Sequence, residues 1–118
     1  MSNYIVKDAE LGRIHISDDV IAHVVKDAIK DNEGIGGISS TPGTGIVEKV
    51  GLKSPIKGMK VSFDDNTINV EVTITVNYGF NILDVSSKAQ KSIASELQSI
   101  TGIDQVRVDI IVSGICFA

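Results

Sequence analysis

Chemistry in a short chain needs reactive side chains that converge, so these residues come first. Two histidines, His15 and His23, are the natural candidates for metal ligation or proton transfer. His15 falls on the polar side of an alternating segment, and His23 lies about 150° from the centre of its helix's apolar stripe by the 3.6-residue period. They belong to different surfaces, and no cysteine or histidine stands at ligand spacing from either, so both read as solvated. The carboxylate pairs Asp18/Asp19 and Asp64/Asp65 are sequence neighbours. The first sits where a helix starts and the second in a turn, positions that explain them without an acid–base role. Cys116 keeps the phase of Val112 and Gly114 on the core side of the last apolar stretch, which predicts a buried, inert thiol. Ser17 has no His–acid partner set, and nothing resembles a nucleophile elbow. No catalytic residue, metal ligand or cofactor is expected.

Two glycine clusters could cradle a phosphate. PGTGIVEK supplies Gly43 and Gly45 but has Glu48 where a dinucleotide fingerprint needs its third glycine, and no Walker lysine follows. GIGG, Gly34 to Gly37, formally matches the GxxG loop of RNA-binding KH domains. Against that stand the missing basic flank and the strand predicted where a second helix should begin. The formal charge of −4, from 15 acidic and 11 basic residues well interspersed, provides no electrostatic footprint for nucleic acid or an acidic lipid surface.

One cysteine cannot close an internal disulfide, and MSNYIVKDAELGR has neither the basic start nor the apolar core of a signal peptide. A reducing cytoplasm is the expected compartment. No apolar run approaches the roughly 20 residues needed to span a bilayer, so membrane contact is expected only through a partner.

At 118 residues the chain is expected to be one domain, 1–118, with 1–11 as an amino-terminal extension. GRIHIS alternates, with Ile14 and Ile16 on one face, and predicts a first strand. Ser17 then reads as a helix N-cap, and Val20, Ile21, Val24, Val25, Ala28 and Ile29 set a helix from about Asp18 to Lys30. Ile35 to Ser39 predicts a glycine-weakened strand. Residues 40–58 carry both prolines and read as an irregular excursion with one helical turn near Ile46 to Val50. MKVSFDDNTINVEVTITVNY is a hairpin: Met59, Val61 and Phe63 alternate, DDNT turns, and Ile68 to Tyr78 alternate again. Its other face carries Asn69, Glu71, Thr73, Thr75 and Asn77, a row expected to be wetted. After Gly79 the period becomes helical through Ile82, Val85, Ala89, Ile93, Ala94, Leu97 and Ile100, with Asn81 as N-cap and Gly102 as the stop. Val106, Val108, Ile110 and Val112 then align on a last strand. The order β-α-(β)-β-β-α-β predicts an α/β (α+β) two-layer sandwich: one mixed, largely antiparallel sheet with two amphipathic helices on one face.

One apolar feature is left over from the core. On the last strand Ile111, Ile115 and Phe117 are expected to share the face of Arg107 and Asp109, which turns from polar to apolar near its end. Either Tyr4 to Val6 covers it or another chain does. With Thr73 and Thr75 these residues form the candidate interaction surface.

GRIHISDDVIAHVVKDAIKDNEGIGGI, INVEVTITVNYGFNILDVSSKAQKSI and ITGIDQVRVDIIVSGICF together resemble the alkaline shock protein family, the general-stress proteins of Gram-positive bacteria. The likeness runs from about Gly12 to Phe117. It rests on Gly-x-Ile-x-Ile-Ser at Gly12 to Ser17, on Tyr78-Gly79 before the long helix, and on Thr101-Gly102-Ile103 before the last strand. The resemblance implies a non-enzymatic cytoplasmic protein of the envelope or alkaline stress response. It implies a protein that self-associates and, in some members, is recruited by a small membrane-anchored partner. It brings no catalytic residues. The alternatives are a small-molecule module for an acyl or phosphate group, with Tyr78 to Asn81 and the glycine loops at its mouth, and an RNA-binding module.

Overall fold

The computed structural model describes residues 4–38 and 58–117. The excursion expected at 40–58, with its helical turn and the PGTGIVEK glycines, lies outside the described residues apart from Gly58. Among the described residues eight elements follow in order: β1 (Tyr4–Ala9), β2 (Gly12–Ser17), α1 (Asp18–Ile29), β3 (Ile35–Ile38), β4 (Met59–Asp64), β5 (Thr67–Asn77), α2 (Ile82–Thr101) and β6 (Val106–Cys116).

β5 organises the molecule because its even-numbered row is apolar without a break. Ile68, Val70, Val72, Ile74 and Val76 are all at most 2% exposed, and α1 and α2 lie over that row. β4 pairs antiparallel with Thr67 to Val72, and β3 pairs antiparallel with Ile74 to Val76. Both lie on one edge of β5, because the Thr73 and Asn77 amides donate to the Gly58 and Gly34 carbonyls, each at 2.8 Å. β6 occupies the other edge, parallel to β5. The β5-α2-β6 unit is thus a strand, crossover helix and parallel strand, the connection that places a helix on a sheet face. The β4–β5 turn needs only Asp65 and Asn66, and Asp65 takes a left-handed φ of 54° that short polar side chains tolerate.

Both helices begin and end as their sequences require. The Ser17 hydroxyl accepts from the Val20 amide at 3.3 Å, and the Asn81 carboxamide oxygen accepts from the Asp84 amide at 3.0 Å. Gly102 closes α2 at φ 74°, where any side chain would be strained. The Thr101 hydroxyl donates to the Leu97 carbonyl at 2.6 Å and accepts from the Ile103 amide at 3.1 Å, which turns the chain so that Ile103 is buried. Ile21, Ala22, Val25 and Ile29 of α1 and Val85, Ala89, Ile93 and Leu97 of α2 fill the helix–sheet interface. The outer members of the expected stripes, Val20, Ile82 and Ile100, stay substantially exposed, because only about a third of each helix circumference meets the sheet.

The α+β, two-layer architecture is the one the order of elements predicts, but the amino-terminal strand behaves differently. β2 does not join the main sheet. It pairs antiparallel with β1, from Tyr4 opposite Ser17 to Ala9 opposite Gly12, as a separate two-stranded sheet. Half of the expected extension is therefore a strand, and Tyr4 to Val6 is taken up by β2. Only Ile5 of this hairpin is buried; Ile14, opposite Lys7, is 55% exposed where no layer covers it.

Candidate interaction surface

The last strand changes phase where a continuous alternation was expected. Ile74 pairs with Val112 but Thr75 with Gly114, so Ser113 is an extra residue on β6. Backbone bonds on either side record the step: the Ile68 amide reaches the Gln105 carbonyl and the Tyr78 amide reaches Cys116, both at 2.9 Å. Ten residues of β5 thus match eleven of β6. Beyond Ser113 every side chain is transferred to the opposite face.

That transfer splits the expected surface in two. Ile111 lies beside Thr73 on the face away from the helices, where it is 38% exposed. Ile115 instead partners Val76, in the row that faces the helices, although at this end of the strand it is exposed. Cys116 pairs with Asn77 and is exposed, not buried on the core side. Thr73 belongs to the row expected to be wetted, yet is 3% exposed, because the centre of the sheet with Ile111 alongside shields it. Thr75 is half-buried. It lies under β3, where a Cβ on Gly36 would come 2.7 Å from Thr75 Oγ1 and 3.0 Å from the Cys116 Cβ. That close approach over β5 explains the glycine.

Phe117 finds a partner that the sequence pattern hid. Its ring stacks on Tyr78 with centroids 5.0 Å apart and planes tilted by 31°. Both remain mostly in water, Tyr78 at 70% and Phe117 at 73% exposure. Tyr78 was expected to extend the inward row of Val72, Ile74 and Val76. It cannot, because Gly79 at φ 99° turns the chain away before α2 begins. Phe80, Ile82 and Leu83 follow in the same turn, all exposed, with Leu83 at 76%. The end of β6, the Tyr78–Asn81 joint and the first turn of α2 thus concentrate exposed apolar side chains. The legible clue was Gly114, since a glycine inside a strand marks a bulge.

This end is laced to the α1–β3 loop. Asn77 Nδ2 donates to the Glu33 carbonyl at 2.8 Å, Asn32 Oδ1 accepts from the Gly34 amide at 3.1 Å, and a Cβ on Gly34 would strike Val85. Between loop and joint lies an open depression lined by Asp31, Asn32, Glu33, Gly34, Phe80, Asp84, Val85 and Lys88. It suits an anion poorly. Asn81 already occupies the α2 N-terminus, and Asp84, Asp31 and Glu33 bring negative charge to it. The GIGG segment is equally unlike a phosphate-clamping loop, because Ile35–Ile38 is strand β3.

The remaining polar groups are dispersed. The His15 ring meets Tyr4 edge-on with centroids 6.1 Å apart, whereas His23 Nδ1 lies 2.8 Å from the Asp19 carbonyl of its own helix. Among the described residues no group of three or more His, Cys, Asp or Glu is placed to hold a metal ion. On the outer sheet face Lys60 meets Glu71 at 4.0 Å and Arg107 meets Asp109 at 3.5 Å, exposed pairs worth about 0–1 kcal/mol each. No helix among the described residues is long and apolar enough to cross a membrane.

The protein is thus a two-layer α+β sandwich with scattered titratable groups, and Tyr78, Phe80, Leu83 and Phe117 are among its exposed apolar side chains. The chain belongs to the family of alkaline shock protein 23, described as having a cell envelope-related function, whose model matches residues 6–117. It is 29% identical over 111 residues to the uncharacterized protein YqhY of Bacillus subtilis, covering 94% of this chain and 82% of that one. It is 29% identical to the uncharacterized protein YloU of Bacillus subtilis and 30% identical to the uncharacterized protein Spy1614 of Streptococcus pyogenes, each over 106 residues and 88% of both chains. No solved structure matches the chain.

Proposed function

We propose that the protein is a non-enzymatic structural module of the envelope or alkaline stress response. In this reading it self-associates on the cytoplasmic side and is held at the membrane by a small anchored partner. One observation carries it: Tyr78 and Phe117 are locked against each other yet stay 70% and 73% exposed. Large exposed aromatics of this kind are what a protein partner desolvates. The family's envelope-related description supports the setting, and the scattered histidines and carboxylates support a role without catalysis.

The test is crosslinking from cells carrying the wild-type chain or Tyr78→Glu/Phe117→Glu, with captured proteins read by mass spectrometry. The wild type should capture copies of itself and a small membrane-anchored protein, and the variant should lose the anchored partner while keeping its circular dichroism. An unchanged capture profile from a folded variant would remove this end from the function.

A further inference from the structure

β6 is the open edge of the four-stranded sheet, and among the described residues it pairs only with β5. The Ile68 amide reaches the Gln105 carbonyl, so up to the bulge the odd-numbered backbone groups of β6 serve β5. The N–H and C=O groups of Val106, Val108, Ile110 and Val112 therefore point outward, as alternation in a parallel ladder requires. Native sheets cover or charge such edges. Among the described residues Gln90 Nε2 of α2 donates to this edge, at the Val108 carbonyl, at 3.0 Å.

The apolar layer also stops one strand short. Ile68, Val70, Val72 and Ile74 are at most 2% exposed, yet their partners Val106, Val108, Ile110 and Val112, on the same face one strand over, are only half-buried. Something laid along β6 would complete both the ladder and the apolar layer.

We propose that this is a second copy of the chain, joined antiparallel to β6 about a two-fold axis at Val108, so that two sheets become one. This rests on the self-association proposed above and gives it an interface. The charges select the occupant and the register. In a two-fold pairing centred on Val108, Arg107 of each copy faces Asp109 of the other, twice over. Moving the axis one residue either way sets Arg107 against Arg107 or Asp109 against Asp109, and like charges directly opposite destabilise a sheet. An axis at Ile110 would set Asp109 against Ile111. The Arg107–Asp109 contact within one strand, with both side chains exposed, then becomes half of a four-charge ring of alternating sign. Isologous contacts of this kind need a surface complementary to itself, which this strand has.

Sedimentation of the purified full-length chain tests the proposal, with circular dichroism as the folding control. The wild type should dimerise. Arg107→Asp and Asp109→Arg should each weaken association at least about tenfold, since each brings like charges together across the axis. Combining both changes should restore it. In a Cys116→Ser background, Val108→Cys should oxidise to a covalent dimer, because a residue on the axis meets its own copy at a Cα separation of about 5.5 Å, within disulfide reach. Ser62→Cys, on the surface of β4, should not. A wild type that associates while both single changes leave it unaffected, or a double change that fails to restore a loss, overturns the β6 edge and leaves self-association standing. So does Val108→Cys crosslinking no better than Ser62→Cys. A wild type that is monomeric at its highest soluble concentration overturns both.

Discussion

The rings of Tyr78 and Phe117 stack 5.0 Å apart at the point where parallel strands β5 and β6 end together. Each ring is held by the other but covered by little else. Phe117→Ala should therefore lower folding stability by only about 1 kcal/mol, the worth of an exposed aromatic pair. Urea denaturation should show that small change while capture of the proposed anchored partner falls sharply. A loss of several kcal/mol would mean that Phe117 belongs to the core.

The bulge at Ser113 makes a prediction about Cys116. An uninterrupted alternation would turn the thiol toward the helices; the observed register places it, exposed, beside Asn77. In the native protein a thiol reagent such as Ellman's should modify Cys116 without denaturant. Protection that lasts until unfolding would contradict the exposed placement of Cys116.

Gly36 is predicted to be intolerant of any side chain. A Cβ there would stand 2.7 Å from Thr75 Oγ1 and 3.0 Å from the Asn77 carboxamide oxygen and the Cys116 Cβ. Gly36→Ala should destabilise the fold by about 1–3 kcal/mol through overpacking, measured as a shift in the urea midpoint. Gly37→Ala, where a Cβ meets nothing within 4 Å, is the control and should fall well below that.

The ends of α2 should each contribute measurably. Asn81→Ala removes the acceptor that holds the Asp84 amide at 3.0 Å and should cost about 1 kcal/mol. Gly102→Ala puts a side chain at φ 74° and should cost a similar amount. The two sites are far apart along the helix, so the double variant should be close to additive in thermal denaturation.

Much of the architecture was legible because it follows from period alone. The uninterrupted row from Ile68 to Val76, the DDNT turn, the Ser17 and Asn81 caps and the Gly102 stop are local statements, and each stands where the residues put it. Less legible were features set by pairing between distant segments. β1 was missed because YIVKDA alternates poorly and its identity as a strand depends on β2. GRIHIS reads equally well as a strand of the main sheet or of a separate hairpin, since half-burial does not specify a partner. Thr73 looked wetted because alternation reports a face but not what lies alongside it.

The candidate surface was harder still, because its geometry turns on a single extra residue in β6. Ile111, Ile115 and Phe117 share a face only if the strand counts by twos to its end. Ser113 breaks that count, and Gly114 beside it was the only local sign. Charge self-complementarity between Arg107 and Asp109 was present in the sequence throughout, but its meaning depends on β6 being an edge, which the order of elements did not determine.

Ser113 also divides β6 into two stretches whose surfaces vary separately. Substitutions before it alter what the strand edge offers, and substitutions after it alter the aromatic end, with no need for one to compensate the other. A change in length behaves differently: removing one residue near Ser113 would make Ile115 and Cys116 exchange faces at a stroke. Insertions and deletions, more than replacements, are thus the mutations by which relatives of this chain could trade one binding partner for another.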